Sequence, residues 1–363
     1  MNVSLIGYNI TNFIIAIELI KKGFAVDILY KNKSKKNKTN RTIGISETNF
    51  KFLSLNLKQI KKYSWPINKI KIFNHRNNNE FIDFSNTNKK NFYLIKYTDL
   101  FNLLEKACKK CKKICFKLTT NIEIENLDIK NKYDFIINSE NKNILTKKHF
   151  NKIIKKDYNS TAYTGILQHY KIKNNTAFQI FTKFGPLAFL PLSQTKTSIV
   201  YSVEKKYCLE DKDIKKLITE FNKFYRIKKL DELEKFDLNF SFSRNIVHKN
   251  ILCFGDTMHK VHPLAGQGFN MTLRDIKILN KLIDDKISCG LEINESLLTD
   301  FKNKIQHFNI IFVTGINLIY EFFALDNKLN SKISKNIFKL LNKNKIFKEY
   351  STIFADKGIN INH

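Results

Sequence analysis

Apolar residues near the N-terminus follow the pattern of a strand, a helix and a second strand. The apolar run after Asn2 predicts the first strand, a helical pattern continues through Lys22-Gly23, and a second strand ends at Tyr30. This is the order of a dinucleotide-binding βαβ unit, whose G-x-G-x-x-G turn brings backbone against a pyrophosphate. Only the first glycine, Gly7, is present here, because asparagines occupy the other two positions of the turn.

A second stretch, residues 250–276, also reads as a strand, a glycine-rich loop and a helix. The apolar residues 251–254 predict a buried strand, and Gly255-Asp256 follows it directly. Apolar residues from Met271 onward recur at helical spacing. Because the first N–H groups of a helix are unpaired and carry partial positive charge, this loop is a place to bind a polar or anionic cofactor.

The middle of the chain shows the alternation that is typical of strands. It runs through residues 67–96 and again through residues 158–205, whereas residues 209–235 read as a charged helical connection and the chain after Leu297 reads as helical. The fold class predicted is α/β: a Rossmann-like cofactor-binding domain, a mixed β-sheet substrate domain and C-terminal helices. The boundaries predicted are 1–66, 97–157 and 245–296 for the first domain, 67–96 and 158–244 for the second, and 297–363 for the C-terminal segment.

Length and composition indicate a folded protein with more than one core. The chain has 363 residues, 43% of them hydrophobic, which is enough for two or three domains of ordinary size. Its formal charge of +30 alone would suggest nucleic acid or an anionic membrane. However, Lys, Asn, Ile and Phe are abundant together while Gly and Pro are scarce, as an AT-rich genome produces, and no nucleic-acid-binding motif accompanies the charge. We therefore expect no nucleic-acid partner.

The cysteines and the apolar segments point to a reduced, cytoplasmic setting. No secretory signal precedes the first strand. Cys108, Cys111 and Cys115 lie among apolar residues at helical spacing with no fourth ligand nearby, so core packing is favoured over a metal site. The longest apolar stretch, residues 308–325, is interrupted by polar residues and is too polar to span a bilayer.

The string Gly-Asp, two histidines and Pro-Leu-Ala-Gly-Gln-Gly-Phe-Asn closely resembles the GD motif of the ubiquinone-biosynthesis hydroxylases. These belong to the class of FAD-dependent aromatic monooxygenases that includes p-hydroxybenzoate hydroxylase. In the family the Asp bonds the ribityl chain of FAD, the Pro lies against the flavin, and the Gly-x-Gly and Asn line its pyrimidine edge. The resemblance implies cofactor roles for Gly255, Asp256, Pro263, Gly266, Gln267, Gly268 and Asn270.

Other segments match the ubiquinone-biosynthesis hydroxylases at fewer positions. Arg41 matches a family arginine that reaches toward the cofactor, although a lone arginine after a loop is also an ordinary surface residue. Tyr97 falls where the family places a residue near the ribityl chain. Gly7, Asn9 and Tyr30 are the residues predicted to bind the ADP end of FAD. Tyr30 occupies the position where an acidic residue normally holds the ribose. The family's Ala-Asp-Gly motif, associated with NADPH, is Ser-Glu-Asn at residues 139–141, which puts NADPH use in doubt.

Residues 184–192 resemble the family's Gly-Gly-Pro-Leu-Ala-Leu-Leu-Pro-Leu segment, part of a sheet that forms the substrate wall. Phe181, Phe189 and Pro191 are the candidates to line that wall, with plain core packing as the alternative. A last amphipathic stretch, residues 334–354, alternates Lys and Asn with Ile, Leu and Phe. It is either a membrane-surface element or a helix packed with its lysines outward.

The resemblance implies an oxidoreductase: an FAD-dependent monooxygenase that uses NAD(P)H and O2 to hydroxylate the ring of a polyprenylated phenol in ubiquinone biosynthesis. No Ser/His/Asp or Cys/His arrangement indicates a nucleophile, so no catalytic side chain is assigned. The location implied is cytoplasmic and peripheral on the inner face of the membrane, with other ubiquinone-synthesis proteins as possible partners. The alternative is a degenerate flavoprotein with a scaffold role, because the departures from the family gather at the ADP end. The retained flavin end predicts weakened but real FAD binding.

Overall fold

A computed structural model describes residues 1–31, 39–74, 80–85, 92–127, 132–261 and 267–306, together with 309, 311 and 315. Its strands are β1 (Asn2–Ile6), β2 (Ala25–Tyr30), β3 (Thr42–Ser46), β4 (Ser64–Ile67), β5 (Lys69–Asn74), β6 (Glu80–Ser85), β7 (Phe92–Lys96), β8 (Ile114–Leu118), β9 (Phe135–Asn138), β10 (Ile153–His169), β11 (Thr176–Thr182), β12 (Gly185–Pro191), β13 (Lys196–Glu204), β14 (Ile227–Leu230), β15 (Glu234–Ser243), β16 (Val247–His248), β17 (Ile251–Cys253) and β18 (His259–Lys260). The helices are α1 (Ile10–Lys21), α2 (Glu47–Asn56), α3 (Ile60–Tyr63), α4 (Tyr97–Lys109), α5 (Asn121–Asn126), α6 (Ile144–His149), α7 (Asp211–Phe221) and α8 (Gln267–Ser288), and residues 295–306 are also helical.

A six-stranded sheet forms the dinucleotide-binding half of the molecule, in the order β16-β17-β9-β1-β2-β8. β1 pairs in parallel with both β2 and β9. Strands buried on both faces read as continuous apolar runs, which is why β9 is buried at every position. The strand–helix–strand unit predicted for the N-terminus is therefore confirmed.

A nine-stranded sheet follows the order β18-β15-β10-β13-β12-β11-β5-β6, with β14 paired to β10 outside this path. Its pairs are antiparallel except β11–β5, which is parallel. Helix α7 buries Ile214, Ile218 and Phe221 in a core that this sheet shares through Phe189 and Tyr201. The α/β class with a mixed second sheet is thus confirmed.

Two details of the sequence-based assignment change. The charged connection at residues 209–235 is helical only through Phe221, after which β14 pairs with β10 and β15 begins at Glu234. An edge strand that carries lysines on its exposed side cannot be told from a charged helix by periodicity alone. In addition, β7 does not continue the large sheet with β5 and β6, because it pairs with β3 and β4 in a third, three-stranded sheet. The domain boundaries themselves remain a prediction.

The three clustered cysteines are not on one helix, because α4 ends at Lys109. Cys108 is fully buried and its burial raises the pKa of the thiol to about 12. Cys115 lies in β8 and is exposed. Core packing is therefore confirmed for Cys108 and wrong for Cys115.

Only the start of the C-terminal helical segment is described. Phe301, in the helix at residues 295–306, is fully buried and stacks on Phe254 with ring centroids 5.6 Å apart. The amphipathic stretch at residues 334–354 lies outside the described residues. None of the described helices combines the length and apolar content that crossing a bilayer requires.

Candidate functional site

A cavity of about 610 Å³ is lined by strand residues of the three-stranded and nine-stranded sheets and by residues that follow β1, β9 and β17 of the six-stranded sheet. This is within the usual size range of small-molecule and cofactor sites. Its polar side includes Asn9, Thr11, Arg41, Ser139, Asn141 and Asp256. Its apolar side includes Ile67, Ile70, Phe92, Leu94, Ala177 and Leu190, which pack in one hydrophobic cluster. A long amphipathic molecule is the kind of ligand that such a cavity accommodates.

Asp256 reaches the cavity because the chain turns sharply after β17. Gly255 has φ +63°, and a Cβ there would lie 3.3 Å from the Thr11 side chain, so glycine allows the turn to approach α1. The Asp256 side chain is exposed to the cavity, and the Asn141 amide donates to its backbone oxygen at 3.4 Å. No described residue forms a hydrogen bond or an ion pair with the Asp256 carboxylate. It is available to accept hydrogen bonds from a ligand.

Arg41 and Tyr97 lie beside each other on the same cavity. The Arg41 guanidinium is 5.5 Å from the centroid of the Tyr97 ring, and the Tyr97 N–H donates to the Arg41 carbonyl at 2.9 Å. Burial raises the pKa of the Tyr97 phenol, the Arg41 charge lowers it and the Asp256 charge raises it. Three residues chosen from separate sequence segments therefore interact electrostatically at one site.

The segment that carries Arg41 is held by a residue that the sequence did not single out. Glu234, at the start of β15, accepts from the Thr39 hydroxyl at 2.9 Å and from the Asn40 N–H at 2.7 Å. The Thr39 hydroxyl in turn accepts from the Arg41 N–H at 3.1 Å. Glu234 is far from Arg41 in sequence, so no local motif could have indicated this contact.

Asn270 has a different place from the one that the family resemblance implied. Its side chain is fully buried and accepts from the Ser46 N–H at 2.9 Å and from the Asn49 amide at 3.0 Å, while donating to the Gly44 carbonyl at 2.9 Å. These bonds occupy the side-chain amide, and the cofactor role given to Asn270 remains a prediction. Asn270 instead anchors β3, whose residues Thr42 to Gly44 line the cavity.

The rest of the GD loop is described in part. Gly268 lines the cavity at the first turn of α8, and a Cβ there would meet only Val261 at 3.5 Å. Gln267 begins α8, and its side chain lies outside the described residues, as do Pro263 and Gly266 altogether. The cofactor roles given to these residues remain predictions.

His259 is a further cavity residue that the motif contained but to which no role was assigned. Its Nε2 is 2.6 Å from an Asp275 carboxylate oxygen, and both side chains are buried. Asp275 also accepts from the Asn309 amide at 3.2 Å. This pair ties β18 to α8 and so fixes the two ends of the GD loop, residues 255–270, relative to each other.

The first glycine turn, residues 7–12, bonds its asparagine side chains to protein groups. Gly7 has φ +120°, a conformation that favours glycine. The Asn9 side chain caps α1 by accepting from the Asn12 N–H at 3.1 Å, and it donates to the Ser139 hydroxyl at 2.8 Å. The Asn12 amide donates to the Gly7 carbonyl at 2.8 Å. The asparagines therefore preserve the turn, but Asn9 satisfies an N–H group that a pyrophosphate would otherwise bind.

Tyr30 ends β2, as predicted, and packs in an aromatic cluster. Its ring lies 5.0 Å from that of Tyr8, which in turn lies 5.1 Å from Phe13 and 5.7 Å from Phe116. The Tyr8 hydroxyl donates to Glu105. An aromatic surface thus replaces the carboxylate that normally holds the adenosine ribose.

The substrate-wall prediction is one residue out of register on β12. Three residues of this strand line the cavity: Pro186, Ala188 and Leu190. Because side chains alternate between faces, Phe189 and Pro191 point away, and Phe189 is fully buried in the core against Phe224. Phe181 pairs with Pro186 across the strands and shares its face, but it is buried at 3% exposure. Phe189 and Pro191 are therefore corrected to core residues.

The residues of the polar side fit FAD at its flavin end. Arg41 and Asp256 offer a cation and a carboxylate without ionic partners among the described residues, and the buried Thr42 hydroxyl also has no hydrogen-bond partner there. A buried polar group without a partner costs free energy that a ligand can recover. The ADP end fits less well, because Asn9 and Tyr30 already contact protein groups.

Comparison with solved structures shows which proteins share the fold. The p-nitrophenol 4-monooxygenase PnpA from Pseudomonas putida DLL-E4 superposes with a TM-score of 0.76 at 10% identity, covering 98% of both chains. PqsL from Pseudomonas aeruginosa, a probable FAD-dependent monooxygenase, gives a TM-score of 0.70 at 10% identity over 95% of this chain and 100% of that chain. The fold is that of the FAD-dependent aromatic monooxygenases.

Comparison with curated proteins narrows the resemblance. The ubiquinone biosynthesis monooxygenase COQ6 of Danio rerio is 24% identical over 213 residues, 47% of this chain and 44% of the relative. The 3-demethoxyubiquinol 3-hydroxylase of Escherichia coli (strain K12) is 29% identical over 157 residues, 41% of this chain and 40% of the relative. Both alignments therefore span less than half of the relative's length. The squalene epoxidase family model matches residues 210–354. The resemblance to the ubiquinone-biosynthesis hydroxylases is confirmed.

Proposed function

We propose that this chain is an FAD-dependent monooxygenase that hydroxylates the aromatic ring of a polyprenylated phenol in ubiquinone biosynthesis. The main support for this function is one cavity that has Arg41 and Asp256 on one side and an apolar cluster on the other. Relatives named as ubiquinone-biosynthesis monooxygenase and hydroxylase support this function over the scaffold alternative.

When bound, FAD with NAD(P)H and O2 supplies the oxidising chemistry, and the protein binds, orients and excludes water. Asp256 and Arg41 would hold the cofactor: the carboxylate would accept hydrogen bonds from its hydroxyl groups, and the guanidinium would balance its negative charge. The first turn of α8 lies at the cavity through Gly268, and the partial positive charge of a helix start would stabilise negative charge there. None of these roles requires a side chain to act as a nucleophile.

The apolar side of the cavity holds the ring and the beginning of the prenyl tail. Ile67, Leu94 and Leu190 belong to one hydrophobic cluster, so they exclude water from the position where the phenol lies. A prenyl tail gains binding free energy in proportion to the apolar surface that it buries. A phenol without a tail should therefore bind much more weakly than a prenylated one.

The flavin absorbance of the purified full-length protein, with and without added FAD, tests this proposal. Uptake of FAD, followed by NAD(P)H oxidation that a prenylated phenol accelerates and that yields the hydroxylated product, is the expected result. Absence of uptake even at high FAD would overturn the enzyme function. Flavin uptake without any hydroxylated product from a series of prenylated phenols would favour the scaffold role.

A further inference from the structure

A basic surface lies at one edge of the nine-stranded sheet, which we call the basic patch and define as residues 170–173, 193–196 and 226–229. Its three segments contain six cations and no carboxylate: Lys171, Lys173, Lys196, Arg226, Lys228 and Lys229. All six of these residues are exposed. Tyr170 and Ile172 are also exposed, at 44% and 37%, so apolar surface lies between the charges.

Backbone and ring contacts join the three segments into one surface. The Tyr170 N–H donates to the Arg226 carbonyl at 3.1 Å, and the Ile172 N–H donates to the Gln194 carbonyl at 3.0 Å. The Arg226 guanidinium and the Lys228 ammonium lie 4.4 and 4.5 Å from the Tyr170 ring centroid. Two cations therefore share one exposed aromatic ring.

A buried polar network lies directly beneath the basic patch. His169, at 1% exposure, donates from Nδ1 to the Tyr170 carbonyl at 2.8 Å and contacts the Thr197 hydroxyl through Nε2 at 3.0 Å. The Asn174 amide donates to the same hydroxyl at 3.0 Å and accepts from the Tyr225 hydroxyl at 3.0 Å. A satisfied buried network holds its segments rigidly, so the surface is formed before any partner arrives.

The basic patch adjoins the apolar side of the cavity. The Asn174 carbonyl accepts from the Trp65 ring N–H, and the Asn175 carbonyl accepts from the Asn68 N–H at 3.0 Å. Trp65 packs in the hydrophobic cluster that lines the cavity, together with Leu192, the residue immediately before the 193–196 segment. The segments that carry the charges are thus continuous with those that would hold the substrate.

We propose that the basic patch is a docking surface for an anionic phospholipid bilayer. Each lysine or arginine near such a surface contributes about a fivefold gain in binding. Tyrosine is enriched at the membrane–water interface, where the exposed Ile172 beside it also gains by burial. Docking would place the apolar side of the cavity next to the bilayer, where a polyprenylated substrate resides; only this last step rests on the proposed function.

Co-sedimentation of the full-length protein with lipid vesicles tests the docking surface. Vesicles of phosphatidylcholine with one-third phosphatidylglycerol are compared with pure phosphatidylcholine. A triple variant, Lys171→Gln, Lys173→Gln and Lys229→Gln, should bind the anionic vesicles about a hundredfold more weakly than the unmodified protein. A double variant, Tyr170→Ser and Ile172→Ser, should weaken binding to a similar extent at low and at high salt, because that contribution is apolar.

A matched control removes the same charge elsewhere: Lys110→Gln, Lys112→Gln and Lys113→Gln, which are exposed residues after α4. This control should leave vesicle binding nearly unchanged. Equal weakening by the two triple variants would mean that net charge alone attracts the protein, and the docking surface would be rejected. Loss of oligonucleotide binding, without loss of vesicle binding, in the first triple variant would also reject it in favour of nucleic acid.

The experiment separates this inference from the proposed function. Vesicle binding needs neither FAD nor turnover, so it can be measured on protein that takes up no flavin. Patch-dependent binding with no flavin uptake would keep the docking surface and overturn the monooxygenase. The opposite result is flavin-dependent hydroxylation of a detergent-dissolved prenylated phenol, with vesicle binding unaffected by the patch variants. That result would keep the monooxygenase and reject the docking surface.

Discussion

The described parts of the GD loop, residues 255–261 and 267–270, and the first glycine turn at residues 7–12 face the same cavity but use their polar groups differently. In the GD loop, the Asp256 carboxylate points to the cavity without a hydrogen-bond partner among the described residues. In the first glycine turn, Asn9 bonds both Asn12 and Ser139. One region offers contacts to a ligand, and the other uses its polar groups for contacts within the protein.

The difference shows how a cofactor site can lose one half without losing its fold. Asparagine adopts turn and cap conformations that most residues avoid, so Asn9 and Asn12 maintain the strand–helix connection that glycines normally form. The cost is that the cap competes with a pyrophosphate for the same N–H group. Affinity for FAD should therefore depend mainly on the GD loop and on Arg41.

The largest effect should follow the removal of Asn270, the buried residue of the GD loop that anchors β3. Asn270→Ala leaves the Ser46 N–H, the Asn49 amide and the Gly44 carbonyl without their partner. Unsatisfied buried groups of this kind should lower the free energy of unfolding by about 3 kcal/mol, measured by urea denaturation.

The control for Asn270→Ala is Asn141→Ala, which removes an amide side chain at the ADP side of the cavity. Asn141 is exposed and makes one long contact, 3.4 Å to the Asp256 carbonyl. Its removal should change the free energy of unfolding by no more than about 0.5 kcal/mol. Equal destabilisation by the two variants would contradict the structural role given to Asn270.

The second effect concerns the cofactor directly. Asp256→Ala removes a charged acceptor from the polar side of the cavity, and the loss of about 1.5–3 kcal/mol corresponds to roughly ten- to 150-fold weaker FAD binding. Titration of the apoprotein with FAD, followed by flavin fluorescence, measures this. Asp237→Ala serves as the control, because that cavity carboxylate is already paired with Lys205 at 2.9 Å. Retained affinity in Asp256→Ala would overturn the role of that residue.

A third variant, Asn9→Gly, should strengthen FAD binding, whereas Asp256→Ala should weaken it. Asn9→Gly removes the side chain that caps α1 and bonds Ser139, and so frees the Asn12 N–H for a ligand. A glycine cap costs the helix only a few tenths of a kcal/mol. Recovery of about one hydrogen bond should tighten FAD binding about fivefold. Weaker binding in this variant would mean that Asn9 itself contacts the cofactor, as the family resemblance implied.

These contrasts also show which parts of the site were accessible to sequence reasoning. Arg41, Tyr97, Asp256 and Gly268 converge on one cavity, and each lies beside the terminus of a strand or in the first turn of a helix, positions that local patterns predict. Asn270 lies in the same motif but faces the other way. A primary sequence cannot tell an amide that binds a ligand from one that binds backbone.

The register of β12 shows a second limit. Residues 186–191 are apolar on both faces of the strand, so alternation alone does not indicate which face meets the core. The face of β12 that meets the core is set by α7 and the residues after it. These cover Phe189 and leave Leu190 at the cavity. Contacts between segments far apart in sequence, such as Glu234 with Thr39, are inaccessible for the same reason.

The smallest effect should come from that distant contact. Glu234→Gln keeps one acceptor for Thr39 and Asn40 but removes the charge that strengthens both hydrogen bonds. Looser positioning of Arg41 should weaken FAD binding about threefold, with the stability nearly unchanged. Glu232→Gln is the matched control, because only the backbone carbonyl of that residue accepts from Asn40, at 3.4 Å. If Glu234→Gln binds FAD as tightly as Glu232→Gln, Arg41 does not need this support, and the polar side of the cavity depends on the GD loop alone.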